Sequence, residues 1–257
     1  MRRAVSTCFL AAFVLLGAGC AAPSVGTAPH AVPAAAASWS VVGASVEGRP
    51  IEAVTIGAGR RRVLIIGAIH GDEPEGLPAI DPLIDHLLAS PSLCRAATVR
   101  IVRDANPDGT AVGSRGNARR IDLNRNWPAS NFAPARTRGS QPLSEPETAA
   151  LHTLIASFAP DLVVVFHSTP GGPFVNYDGP AEREAEAFAA AAAQADPRWR
   201  VVPNIGYPTP GSMGSYIGMD LGVPILTVEF ARRHDPEAAS AAVVEGIEVV
   251  LTMHDGR

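Results

Sequence analysis

The apolar positions of this chain fall into short runs, and several of the runs stop at polar residues capable of chemistry. Trp39 to Val46 and Ile51 to Ile56 alternate weakly on either side of Glu47-Gly48-Arg49-Pro50, which predicts a β-hairpin. Val63 to Ile66 is continuously apolar and gives way to His70 and Glu73. That pattern predicts a buried strand delivering two polar residues onto a loop at its C-terminal end. A helical segment follows, about Pro74 to Leu88, with Pro78 and Pro82 placing its regular part near Pro82. Thr98 to Val102 predicts another strand. Asp161 to Phe166 reads as a central strand buried on both faces and ending at His167, and Pro224 to Val228 as a strand ending at Glu229. Helices are expected from Ser144 to about Phe158, from Ala181 to Ala195 and from Pro236 to Met253. Ser144 and Glu147 have the spacing of a capping box, with Ser144 as N-cap. Asp104 to Pro142 is a long irregular stretch rich in Asn, Arg, Gly and Pro, and a loop of that length inside a compact domain is usually functional. Strands alternating with helices give an α/β fold: a mainly parallel, twisted mixed sheet with helices on both faces, in a single domain over residues 39–257.

The N-terminus has a different pattern. Met1-Arg2-Arg3 precedes an apolar run from Cys8 to Leu16 that is too short to span a bilayer stably, the form of a secretory leader over residues 1–19. Leu16-Gly-Ala-Gly-Cys20 resembles a bacterial lipoprotein signal, with Cys20 as the lipidated residue and a membrane anchor; the alternative is plain cleavage near Ala21 or Ala22. Both place the mature chain in the periplasm or cell envelope. Residues 20–38 are mostly Ala, Pro, Ser, Gly and Thr and form no core, so they read as a tether.

Composition narrows the class. With 257 residues, 47% hydrophobic and 18% charged, the chain can bury one large α/β core. The formal charge of −4, with no basic run, argues against nucleic acid as a partner. Every basic residue is Arg, a mark of GC-rich codon usage. Cys20 and Cys94 do not make a disulfide framework, and Cys94 is expected to be a buried small apolar residue.

Three separate strands thus end in His70 with Glu73, in His167, and in Glu229, all at the sheet edge where α/β sites form. Two imidazoles and a carboxylate are a catalytic zinc set that leaves a coordination position open, and Glu229 is then free to act as a base. The long loop contributes Asn106-Pro-Asp-Gly109 and Arg115-Gly-Asn117-Ala-Arg-Arg-Ile-Asp122-Leu-Asn124-Arg125-Asn126-Trp127. A planar Arg fork with a neighbouring Asn suits a carboxylate.

With His70-x-x-Glu73, Asn106-Pro-Asp-Gly, Asp122-Leu-Asn-Arg-Asn-Trp, Ser144-Glu-Pro-Glu, His167-Ser168 and Thr227-Val-Glu229 in this order, the chain resembles the funnel-type zinc carboxypeptidases. The resemblance covers roughly residues 66 to 230. It implies one Zn2+ per chain, held by His70, Glu73 and His167, and Glu229 as the general base on the water at the metal. It further implies that Arg115 stabilises the oxyanion and that Asn124 and Arg125 grip the free C-terminal carboxylate of a peptide substrate. Asp122 would orient a ligand histidine, and Tyr207 would close over the substrate. Digestive members carry an Arg just before the ligand Glu, where this chain has Gly71-Asp72. His70-Gly-Asp-Glu-Pro-Glu-Gly76 and Gly206-Tyr-Pro-Thr-Pro-Gly-Ser212 instead look like the murein peptide amidase subgroup, which cuts the γ-D-glutamyl–meso-diaminopimelate bond of cell-wall peptides. Many relatives have Gly where Arg120 stands. The other readings are a carboxypeptidase on ordinary L-peptides, an acylamino-acid deacylase of the aspartoacylase and succinylglutamate desuccinylase type, and a non-catalytic lipoprotein that binds wall peptides.

Overall fold

The computed structural model describes residues 37–253, and the expected hairpin opens it: β1 (Ser38–Ala44) pairs antiparallel with β2 (Pro50–Gly57) across a turn at Ser45–Arg49. The leader, Cys20 and most of the tether lie outside the described residues. β3 (Arg61–Ile66) leads through the His70 loop into a 3-10 turn, Pro74–Ala79, and then α1 (Ile80–Ala89). Pro78 lies within the 3-10 turn, and Pro82 falls in the first turn of α1, where a missing N–H costs little. α2 (Pro91–Ala96), β4 (Ala97–Val102) and α3 (Pro107–Val112) follow, then α4 (Pro146–Phe158), β5 (Leu162–Thr169), β6 (Phe174–Asp178), α5 (Glu182–Ala195), a π-helical turn at Gly214–Asp220, β7 (Ile225–Ala231) and α6 (Pro236–Thr252).

The sheet order is β1-β2-β4-β3-β5-β7-β6. β4, β3, β5 and β7 run parallel in the middle. Antiparallel pairing of β1 with β2, β2 with β4, and β6 with β7 flanks them, so the sheet is mixed, with its parallel part confined to the centre. Strand alternation sorts the core into two layers. Val63, Ile65, Val99, Ile101, Val164, Phe166, Leu226 and Val228 face α1, α2, α5 and α6. Leu64, Ile66, Val102, Val163, Val165 and Ile225 face the opposite way, toward α4, Trp127 and Ile217. His167 shares the parity of Val163 and Val165, and it is paired with Glu229. Both residues therefore project from the second face, on the side covered by the long loop.

Several elements differ from the sequence reading. β5 and β7 continue two residues past His167 and Glu229, because the two strands keep pairing through Ser168–Phe230 and Thr169–Ala231. The Asp104–Pro142 stretch contains α3, capped by Asn106, whose side chain accepts from Gly109 N–H. The Ser144–Glu147 capping box does not form. The N-cap is Glu145, without a side-chain cap bond, and Ser144 Oγ donates to Glu145 Oε1 instead. Glu147 is fully buried and accepts from Val46 N–H and Asn117 Nδ2, long-range partners that outcompete the local one. Cys94 is only partly buried and lies against the first core layer, its thiol donating to Leu87 O at 3.1 Å.

Arg120 explains the glycine seen in many relatives: its φ is +62°, in the left-handed region that a Cβ disfavours. The turn is enforced by Asn117. Asn117 O accepts from Arg120 N–H at 2.8 Å, Asn117 Oδ1 accepts from Arg119 and Ile121 N–H, and Asn117 Nδ2 donates to buried Glu145 and Glu147. Arg120→Gly is expected to stabilise the fold by about 1 kcal/mol by relieving this strain, read as a higher urea midpoint. A lower midpoint would refute strain at Arg120.

Candidate metal centre and substrate cleft

His70, Glu73 and His167 converge from three positions that the sheet fixes. His70 and Glu73 lie on the loop after β3, and His167 lies on β5, the neighbouring parallel strand. All three are buried, and one donor atom from each falls within 4.8 Å of the others. His70 Nδ1 and His167 Nδ1 lie 3.1 Å apart, and Glu73 Oε2 is 3.1 Å from the first and 2.8 Å from the second. Asp122 Oδ1 sits 2.9 Å from His70 Nε2 and holds a proton on that nitrogen, so the neutral ring aims its Nδ1 lone pair at the shared point and the protonated ring donates from Nδ1 to Glu73. Ser168 N–H donates to Glu73 Oε2, and Arg115 donates to Glu73 Oε1 at 2.8 Å and to Asp122 Oδ2 at 2.9 Å.

The electrostatics follow from burial and partners. Burial alone would push the Glu73 and Asp122 carboxyls up. Hydrogen bonds from His167 and His70 to Glu73, and from His70 to Asp122, outweigh it and hold both well below the usual carboxylate range. Glu229 lacks such compensation: burial pushes its carboxyl above the ordinary value, and its Oε2 is buried with no hydrogen-bond partner. The convergent imidazole and carboxylate donors, together with this orphaned oxygen in the same cleft, fit a zinc ion with one position left for a reacting group.

The cleft has a volume of about 430 Å³ and is lined on one side by the convergent donors and Glu229. Asn124 and Arg125 form another part of its wall. Asn124 Oδ1 accepts from Met213 N–H at 2.9 Å while its Nδ2 lies 3.2 Å from His167 Nε2. Arg125 donates to its neighbour's carbonyl, Asn124 O, and makes no ion pair among the described residues. Burial lowers the pKa of its guanidinium. A half-buried cation without an anion is a receptor for one. Tyr207 lines the cleft and is 61% exposed at its rim.

The described chain matches known proteins throughout this architecture. The zinc carboxypeptidase family matches residues 33–232. The chain belongs to that family. It is accordingly a peptide-bond hydrolase that uses zinc. It is 35% identical over 198 residues to murein peptide amidase A of Escherichia coli K12, covering 71% of this chain and 76% of that protein. It is 28% identical over 212 residues to the protein of the same name from Vibrio campbellii, covering 76% and 78%. Among solved structures, the murein-tripeptide amidase of Escherichia coli O157 superposes with a TM-score of 0.66 at 32% identity, over 85% of this chain and 93% of that one. Carboxypeptidase A of Helicoverpa armigera superposes at 0.70 and 21% identity, over 84% and 68%, a likeness of fold.

This zinc carboxypeptidase also has cleft residues that the sequence reading passed over. Asn176 and Asp178 on β6 and Arg232 after β7 all line the cleft. Arg232 contacts Asp72 O and lies within 3.9 Å of Glu73 and Glu75. Gly71, in place of a larger residue, follows from packing: a Cβ there would stand 2.0 Å from Gly109 C in α3. Only the His-Gly spacing hinted at this, since the contact joins segments 38 residues apart.

Proposed function

We propose that the chain removes the C-terminal residue of cell-wall peptides by hydrolysing the γ-D-glutamyl–meso-diaminopimelate amide, and that it does so as an exported enzyme. The observation that carries the reaction is the convergence of His70, Glu73 and His167 beside an unpartnered, buried Glu229 oxygen. His70, Glu73 and His167 hold zinc, which when bound supplies Lewis acidity toward the scissile carbonyl and the attacking water. Asp122 keeps His70 in the tautomer that presents Nδ1. Glu229 takes a proton from the attacking water and delivers it to the leaving nitrogen, a role that its raised pKa suits. Arg115 stands next to Glu73 with one terminal nitrogen uncommitted among the described residues and counters the charge that develops on the carbonyl oxygen. Arg125 and Asn124 hold the substrate's terminal carboxylate, and Tyr207 covers it from the rim.

The two amidases that share about a third of their residues with this chain support the wall-peptide substrate, as do Gly71-Asp72 and Gly206 to Ser212. The basic start, the apolar run to Leu16 and Cys20 support an envelope location with a lipid anchor at Cys20. No helix of the described residues is long and apolar enough to cross a membrane. The test incubates the zinc-loaded mature protein with L-Ala-γ-D-Glu-meso-diaminopimelate beside a panel of L-peptides, with products read by mass. Release of meso-diaminopimelate is expected; cleavage confined to the L-peptides would overturn the proposal.

A further inference from the structure

The long loop carries more positive charge than the reaction uses. Residues 109–144 hold six arginines and one acidic residue, Asp122, in a chain whose formal charge is −4. Arg115 is committed to Glu73 and Asp122, and Arg125 faces the cleft. The remaining four are Arg119, Arg120, Arg136 and Arg138. Arg120 and Arg136 are exposed, and their side chains make no hydrogen bond or ion pair among the described residues. Arg138 donates only to Ala133 O. Arg119 reaches Glu145 at 3.5 Å, but that buried carboxylate already accepts from Asn117 at 2.8 Å.

Backbone pairing gathers these four side chains. Asp122 N–H donates to Thr137 O at 2.8 Å, which lays the chain just after Arg119 and Arg120 against the residue between Arg136 and Arg138. Ala135 and Gly139 close a tight antiparallel turn, with Arg138 N–H donating to Ala135 O. Arg119 and Arg136 line one open concavity of about 670 Å³, whose single acidic residue is Glu145. The face runs on toward the cleft. Burial, and then repulsion from Arg115 and Arg138, lower the Arg125 pKa, so Arg138 stands within electrostatic reach of the carboxylate receptor.

Guanidinium groups crowded together without counter-ions repel one another, so folding alone gives no reason to gather them. They suit a partner that presents several anionic groups, each taken by a planar fork. The proposed substrate supplies such a partner. A peptide joined through the γ-carboxyl of D-Glu keeps that residue's α-carboxylate free, and diaminopimelate brings carboxylates of its own. In the wall these peptides repeat along a glycan, which makes the polymer an array of carboxylates. We infer that Arg119, Arg120 and Arg136 form a docking surface for the carboxylate-bearing wall polymer, holding the enzyme on a strand while the cleft trims its peptides. The inference rests on the wall-peptide reading and adds that the substrate is attached to polymer.

Purified sacculi test this by sedimentation with the zinc-loaded mature protein. Wild type is expected to sediment with them, less so as salt rises. Arg119→Gln, Arg120→Gln and Arg136→Gln together are expected to weaken binding on the order of 10-fold, whereas Lys at the same three positions keeps most of it. An unchanged Tm reports an intact fold in the variants. Conversion of the sacculus carboxylates to methylamides is expected to abolish binding of wild type, a readout that needs no variant. Absence of wild-type binding, equal binding by the Gln variant, or binding that survives amidation overturns the inference. Stronger adsorption to phosphatidylglycerol vesicles than to sacculi also overturns it and makes the face a membrane contact. Cleavage of free L-Ala-γ-D-Glu-meso-diaminopimelate is scored in parallel and is expected to be unchanged in the Gln variant. No cleavage by wild type with arginine-dependent sedimentation intact removes the wall-peptide reaction and leaves the docking surface standing; cleavage without sedimentation does the reverse.

Discussion

Glu229→Gln is expected to lower kcat by about 10³- to 10⁴-fold while zinc content stays unchanged. Positioned proton transfer contributes about 10²- to 10⁴-fold, and a group that both takes and returns the proton belongs at the upper end. Gln preserves the shape of the side chain, so His167 and Phe174, the neighbours of Glu229 in the sheet, keep their places. It removes the basic oxygen that is buried without a partner. The same burial sets the sign of the pH dependence. Glu229 works deprotonated, and desolvation raises its pKa, so activity falls on the acid side at a pH above the ordinary carboxylate range. Steady-state kinetics with metal analysis decide the matter. Turnover near that of wild type in the Gln variant would remove Glu229 from the mechanism.

Stripping the metal is expected to abolish hydrolysis and to lower Tm by about 5–10 °C near pH 8, with both restored by added zinc. Stabilisation by a ligand at a hundred times its Kd is about 2.7 kcal/mol, which is a few degrees per kcal/mol for a domain of this size. The gap between loaded and stripped protein depends on pH in a direction that His70 fixes. Burial disfavours its charged form, but Asp122 and Glu73 outweigh burial and raise its pKa in the metal-free protein. Protonated His70 thus stabilises the stripped protein below the ordinary imidazole pKa, and that contribution is lost as pH rises through the raised value. Zinc requires the neutral ring, so the Tm gap is small in acid and widens with rising pH. A gap that narrows from pH 5 to 8, or activity that survives chelation, would contradict this assignment of the three donors.

The parts of the fold that could be read in advance are those decided by short-range pattern. Asp161 to Phe166 has to be a central strand because a run that is apolar on both faces has nowhere else to go, and His167 follows from it. Where long-range partners decide, the sequence misleads. Ser144 and Glu147 have capping-box spacing, yet Glu147 serves Val46 and Asn117, residues far away in the chain. β6 is short, with polar positions alternating along it, and distant partners make it a strand: β7 on one side and a bridge at Val201 on the other. The place of Asp178 in the cleft wall carried no local signal, because it depends on the pairing of β6 with β7 and on Gly214 and Gly218 leaving it room. Among the cleft residues, Arg125 was legible as an anion receptor from its motif; that it has no internal partner was not.

The position of β6 at the end of the sheet has a consequence for redesign. His167 and Glu229 ride on β5 and β7, strands hydrogen-bonded on both sides, so altering their backbone disturbs two neighbours. Asp178 rides on the last strand, which pairs with β7 on one side and on the other is met only by a short backbone bridge at Val201. The scaffold therefore sets the reaction centre on strands held from both sides and part of the cleft wall on the last strand of the sheet. Libraries randomised at Asn176 and Asp178, with Gly214 and Gly218 kept because a Cβ at either would collide with β6, would be the economical route to a reshaped cleft with the same chemistry.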